Sequence, residues 1–176
     1  TEHVARSRDE VDTLIRMFVQ NFTRLGDDER VHKNRIRVRV LGQKDLLPDD
    51  LKAAVAYAEE RTKGYDSYFF NVAVFYGGRE EIIQAIRKIA EAVKDGKLVP
   101  GDISERTFSE YLYTRDMPDP DLILRTSGEE RISNFLLWQL AYSELYFADV
   151  YWPGFRKIDF LRAIRSYQQR RRRFGE

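Results

Sequence analysis

Cysteine is missing from all 176 residues of this chain, which removes disulfides, thiolate metal ligands and cysteine nucleophiles. Histidine is scarce. His3 and His32 are the only two, too few for a histidine-rich zinc centre. Any metal is therefore expected to be a hard cation on carboxylate oxygens, with Mg2+ as the natural candidate. The same absence of cysteine fits a cytoplasmic protein; no apolar run approaches the ~20 residues that cross a bilayer, and no signal-peptide pattern opens the chain. A surplus of one charge is lacking as well. With 30 basic and 29 acidic side chains the net charge is +1, which gives no footprint for a nucleic-acid partner. The local exception is Arg170, Arg171, Arg172 and Arg173, a basic run that reads as a solvated helix end favoured by the helix dipole.

What is present is a globular composition. Hydrophobic residues make up 43% and aromatics 13%, enough for one compact domain over 1–176. Helical and strand patterns alternate. Ser7 and Glu10 form a capping-box pattern, and Val11, Leu14, Ile15, Phe18, Val19 and Phe22 then recur on one helical face, with Gly26 as its stop. Arginine alternates with Ile36, Val38 and Val40 in a strand that ends at Gly42. Pro48 and Asp49 open a helix to Thr62 with Leu51, Ala54, Val55 and Ala58 inward. The nearly continuous apolar run 68–75 reads as a buried strand of a parallel sheet. Gly77 and Gly78 break it before a helix over 80–94, whose apolar face is Ile82, Ile83, Ile86, Ile89, Ala90 and Val93. A strand, a glycine turn and a helix in that order make the βα unit of an α/β domain. Further elements are expected as a helix over 104–112, a strand at Leu122, Ile123 and Leu124, a short helix at 135–140, a strand at Leu145, Tyr146 and Phe147, and a last helix over 158–171.

The densest polar constellation lies in 121–144. Arg125 sits where a strand ends, the usual place for ligand contacts in an open α/β sheet. Arg131, Ile132 and Ser133 follow a glycine-containing loop that leads into the predicted helix. Two guanidinium groups, a hydroxyl and helix-start N–H groups can surround a phosphate or diphosphate. Glu144 emerges from an otherwise apolar stretch, and an acid beside such a pocket suits Mg2+, which binds one or two carboxylates plus phosphate oxygens. Two plainer readings stand beside these. Arg125 and Arg131 can pair with Glu129 and Glu130, and Glu144 can be a strand-edge acid.

The run 121–147, DLILRTSGEERISNFLLWQLAYSELYF, resembles the signature region of cis-prenyltransferases, whose members include undecaprenyl and dehydrodolichyl diphosphate synthases. Trp152-Pro153, the closing Arg173-Phe174-Gly175, and Phe75-Tyr76-Gly77-Gly78-Arg79 resemble further family motifs, so the likeness covers the whole chain. The resemblance implies a largely parallel central sheet flanked by helices, a hydrophobic tunnel for the growing isoprenoid, and a homodimer. It implies condensation of isopentenyl diphosphate onto an allylic diphosphate primer with cis geometry, using Mg2+, with only peripheral membrane contact for product release. By position, Arg125, Arg131, Ile132 and Ser133 would bind isopentenyl diphosphate, Glu144 would hold the metal, and Arg173 and Gly175 would reach toward a partner subunit's site.

At the other end, Thr1-Glu2-His3-Val4-Ala5-Arg6 is similar to the tail of the family's Ser/Thr-Glu-Asn-Trp-x-Arg segment. Glu2 and Arg6 match it. His3 stands where the family has the asparagine implicated in proton removal, and histidine can take a proton near neutral pH. The family's leading strand and aspartate loop, His-x-Ala-x-x-Met-Asp-Gly-Asn-x-Arg-Trp, have no counterpart in these residues. That leaves a non-catalytic accessory subunit or an inactive fragment as the alternative. An unrelated phosphate-binding α/β domain is disfavoured, because neither a P-loop nor a Rossmann glycine fingerprint is present.

Overall fold

The structure, a computed structural model, describes residues 8–170. The chain divides into two compact units, Thr1–Thr114 and Arg115–Glu176. The first carries α1 (Arg8–Asp27), α2 (Glu29–Lys33), β1 (Ile36–Leu41), α3 (Asp49–Thr62), β2 (Tyr68–Ala73), α4 (Gly78–Lys94) and α5 (Glu105–Ser109). The second carries β3 (Leu122–Arg125), β4 (Glu144–Phe147) and α6 (Lys157–Gln169). Both sheets are parallel pairs, as the α/β reading requires. Ile36 lies opposite Tyr68 in the first, and Leu122 opposite Glu144 in the second.

The core of the first unit follows from the amphipathic patterns. Phe22 of α1 and Leu51, Ala54, Val55 and Ala58 of α3 pack with Val38 and Val40, the apolar alternates of β1. The outer edge of β1 has no strand partner among the described residues, and α3 closes it with side chains. Thr62 Oγ1 accepts the Val38 N–H at 3.0 Å, and Glu59 Oε1 accepts the Val40 N–H at 2.8 Å. Thr62 itself is fully buried and donates to the Ala58 carbonyl at 2.8 Å. The edge is thereby satisfied inside the fold, where an unpaired N–H would be costly.

Several expectations need correction. The run 68–75 is not a buried strand: Tyr68, Phe69, Phe70 and Asn71 are exposed, while α3 packs on β1 and the half-buried Val72 joins the core from β2. Ile83 and Ile86 are exposed too. The buried stripe of α4 is Glu81, Ala85 and Ile89, spaced four residues apart. α1 ends at Asp27, one residue past Gly26, where a Cβ would sit 2.7 Å from the Tyr57 ring of α3. Gly42 does end β1, with φ +123° and no room for a Cβ beside the Val74 carbonyl oxygen. Among the described residues no helix is long and apolar enough to cross a membrane.

Candidate functional site

The second unit brings the predicted anion-binding residues together. Arg125 closes β3, and the chain leaves it in a loop rooted on the segment after β4. The Ala148 N–H donates to the Arg125 carbonyl at 2.8 Å, the Gly128 N–H to Ala148 at 3.0 Å and the Ser127 N–H to Val150 at 2.7 Å. Gly128 has φ +67°, a left-handed value that glycine adopts without a Cβ penalty, and a Cβ there would displace the Asp149 carboxylate 2.9 Å away. The helix expected at 135–140 is absent. Ser133, Asn134 and Leu136 adopt φ of +46°, +61° and +47°, left-handed values that break a helical start into turns. The cleft therefore offers an anion the side chains of Arg125, Arg131 and Ser133, without the helix start expected after them.

Arg125 Nη1 donates to Ser133 Oγ at 2.7 Å and also to the Arg131 carbonyl. The Arg131 guanidinium pairs with the Glu129 carboxylate, so the ion-pair reading holds for Arg131 and Glu129. Pro120, Leu122, Ile123, Leu124, Ile132, Phe135, Leu136 and Phe147 complete the lining of a cleft of about 490 Å³ with Arg125, Arg131 and Ser133. Two guanidinium groups and a hydroxyl in an otherwise apolar cleft suit a small amphipathic anion, in which a phosphate head is joined to a short hydrocarbon.

Glu144 is placed elsewhere. It opens β4 opposite Leu122, three residues from the Arg125–Phe147 pair, or roughly 10 Å at ~3.3 Å per residue. It does not line the cleft. Its carboxylate accepts Arg170 Nη1 at 2.7 Å, and the same nitrogen donates to the Leu145 carbonyl at 2.9 Å. Among the described residues no three His, Cys, Asp or Glu side chains converge on a metal position. One carboxylate still fits Mg2+, which commonly takes one or two protein carboxylates and completes its shell with phosphate oxygens and water. A cationic group already occupies the Glu144 carboxylate, as a metal ion would.

Glu2, His3, Arg6, Arg173 and Gly175 lie outside the described residues. His32, the other histidine, serves the fold: its Nε2 lies 2.8 Å from the Gly26 carbonyl, which it can only donate to, and its Nδ1 lies 2.9 Å from the Tyr65 hydroxyl.

Sequence reading missed two charged residues. Glu81 is 1% exposed and accepts the Tyr76 hydroxyl at 2.6 Å and the Tyr113 N–H at 2.8 Å, tying the glycine turn to the segment after α5. Its place in a four-residue stripe with Ala85 and Ile89 was the available signal. The Tyr113 hydroxyl is held well above its ordinary pKa, first by burial and then by the neighbouring Glu80 carboxylate, 3.2 Å away. The second is Arg170, whose basic run suggested only surface.

The Prenyltransf family model, which describes undecaprenyl diphosphate synthases, matches residues 1–175. A Methanocaldococcus jannaschii protein named tritrans,polycis-undecaprenyl-diphosphate synthase (geranylgeranyl-diphosphate specific) is 54% identical over all of this chain, which covers 64% of the relative. A Thermoplasma volcanium protein of the same name is 57% identical over 99% of this chain and 68% of its own length. The crystal structure of lavandulyl diphosphate synthase from Lavandula x intermedia, in complex with dimethylallyl diphosphate, superposes with a TM-score of 0.94. It is 41% identical over 99% of this chain and 75% of its own. The present chain thus spans about two thirds of the curated relatives it matches, and over that span it belongs to the undecaprenyl diphosphate synthase family of cis-prenyltransferases.

Proposed function

We propose that the protein is a Mg2+-dependent cis-prenyltransferase that condenses isopentenyl diphosphate onto an allylic diphosphate and so builds a polyprenyl diphosphate. The observation that carries this reading is the Arg125–Ser133–Arg131 cluster in an apolar cleft. Its polar groups match a diphosphate and its walls match a five-carbon tail. One family model running unbroken over 1–175 supports a single functional domain. The name shared by the archaeal relatives supports geranylgeranyl diphosphate as primer and an undecaprenyl product.

In this mechanism Arg125 and Arg131 bind the isopentenyl diphosphate head, and Ser133 orients it through its hydroxyl. Ile132 and the apolar walls exclude water from the alkene. The alkene attacks C1 of the allylic substrate, the C1–O bond breaks, and diphosphate leaves with the bonding pair. His3 accepts the proton lost from the isopentenyl unit, with Glu2 beside it, and Arg6 contributes to binding the diphosphates. Glu144 would hold Mg2+, which would supply positive charge to offset that of the diphosphates. Two copies act together, the Arg173–Gly175 ending of each reaching the other's site, and the enzyme works in the cytoplasm with peripheral membrane contact for product release. Exposed Tyr68 and Phe70 on β2 face the growing lipid and limit its length.

Isothermal titration of the natural full-length protein with isopentenyl diphosphate tests the cleft. Hydrogen bonds to charged groups contribute ~1.5–3 kcal/mol, so Arg125→Ala should weaken binding about 10- to 100-fold. Binding unchanged in that variant would remove the cleft from the reading.

A further inference from the structure

Arg170 ends α6, its backbone N–H donating to the Tyr167 carbonyl at 3.1 Å. Its side chain crosses to the start of β4, where one nitrogen, Nη1, serves both the Glu144 carboxylate at 2.7 Å and the Leu145 carbonyl at 2.9 Å. The strand end that receives it is fixed: the Glu144 N–H donates to the Asp121 carbonyl at 2.9 Å. The pair is partly open to water, with side-chain exposures of 41% for Arg170 and 26% for Glu144. An ion pair this exposed is weak enough to be exchanged.

We propose that Arg170 is a positioning residue that holds the Glu144 carboxylate when no divalent cation is bound, and that the cation displaces it. The proposal rests on the reading of Glu144 as a metal ligand. A divalent cation on a carboxylate oxygen sits at about 2.0–2.1 Å from it for Mg2+, and two cationic groups on one carboxylate repel each other. Metal and guanidinium are thus rivals for one group. Arg170 also begins the run Arg170–Arg173, so displacement by the metal releases the first of four adjacent arginines from its acidic partner. Metal occupancy is thereby coupled to the availability of a guanidinium for phosphate oxygens.

The test uses Mn2+ alone as probe, with free Mn2+ followed by electron paramagnetic resonance on the natural full-length protein. Removing a rival of this strength should tighten Mn2+ binding about two- to fivefold in Arg170→Ala and Arg170→Gln, equivalent to ~0.4–1 kcal/mol. Arg170→Lys keeps a cation and should stay near wild type. A merely structural role would lower thermal stability while leaving Mn2+ affinity unchanged or weaker. Unchanged or weaker binding in Arg170→Ala, with binding lost in Glu144→Gln, overturns the exchange and leaves Glu144 as ligand. Wild-type affinity in Glu144→Gln removes the ligand assignment, and the exchange falls with it. If Arg170→Ala fails to fold, the wild type answers instead. Its Arg170 Nε–H nuclear magnetic resonance signal should shift on Mg2+ titration, and a signal that stays put overturns the proposal.

Discussion

Arg125 and Ser133, eight residues apart, are joined by a guanidinium–hydroxyl hydrogen bond of 2.7 Å that folds the intervening loop against the end of β3. The bond sets Arg125 in place before any anion arrives, so part of the ordering cost is met by the fold. Ser133→Ala removes the hydroxyl but leaves the Arg125 contact to the Arg131 carbonyl. The expected result is a KM for isopentenyl diphosphate raised about 5- to 10-fold, as one hydrogen bond of ~1–1.5 kcal/mol would give, with a smaller change in kcat. Steady-state kinetics with varied isopentenyl diphosphate checks it. Arg125→Lys should not rescue Arg125→Ala, because an ammonium cannot reproduce the planar fork.

Thr62 makes a prediction about the fold. Thr62→Val keeps the shape of the side chain and removes the acceptor of the buried Val38 N–H. Leaving that group unpaired should cost ~1–3 kcal/mol, read as a lower urea midpoint in chemical unfolding.

Glycine positions separate by geometry. Gly42→Ala should destabilise by at least ~1–3 kcal/mol, since it adds a Cβ against the Val74 carbonyl at φ +123°. Gly64→Ala meets nothing within 4 Å and should change stability little. Thermal melting of the two variants side by side gives the comparison.

Tyr113 predicts an alkaline dependence. Its pKa is raised in the fold above the ordinary 10.0, first by burial and then by Glu80. A group whose folded pKa is raised contributes stability that is complete below the unfolded pKa and is lost as pH climbs through the folded one. Stability should therefore fall above about pH 10, and Tyr113→Phe should flatten that fall. Absorbance titration at alkaline pH should show one of the ten tyrosines ionising after the others in the wild type and none so delayed in the variant.

Much of this was legible in the sequence because the determinants were local. The alternation of Arg37 and Arg39 with Val38 and Val40 specified β1 from Ile36 to Leu41, and Pro48 marked the start of α3. Arg125, Arg131, Ile132 and Ser133 were found because they follow one another along a single loop, and the fold does gather them around one cleft. What was illegible depends on partners distant in sequence. The exposure of Tyr68, Phe69 and Phe70 depends on which strand α3 packs against, and apolar composition alone cannot say that. Burial of Glu81 depends on Tyr76 and on Tyr113, the latter 32 residues away. The missing helix at 135–140 follows from left-handed backbone at Ser133, Asn134 and Leu136, which a helical pattern of apolar residues does not report. The separation of Glu144 from the cleft follows from strand register, which pairs it with Leu122 and pairs Arg125 with Phe147.

Chain elongation by the natural full-length protein is the most direct test of a cis-prenyltransferase activity. Labelled isopentenyl diphosphate, geranylgeranyl diphosphate and Mg2+ should yield an extractable polyprenyl diphosphate, and Arg125→Ala should cut kcat/KM by about 10- to 100-fold or more. No lipid product from correctly folded wild-type protein, or undiminished product from Arg125→Ala, would contradict it.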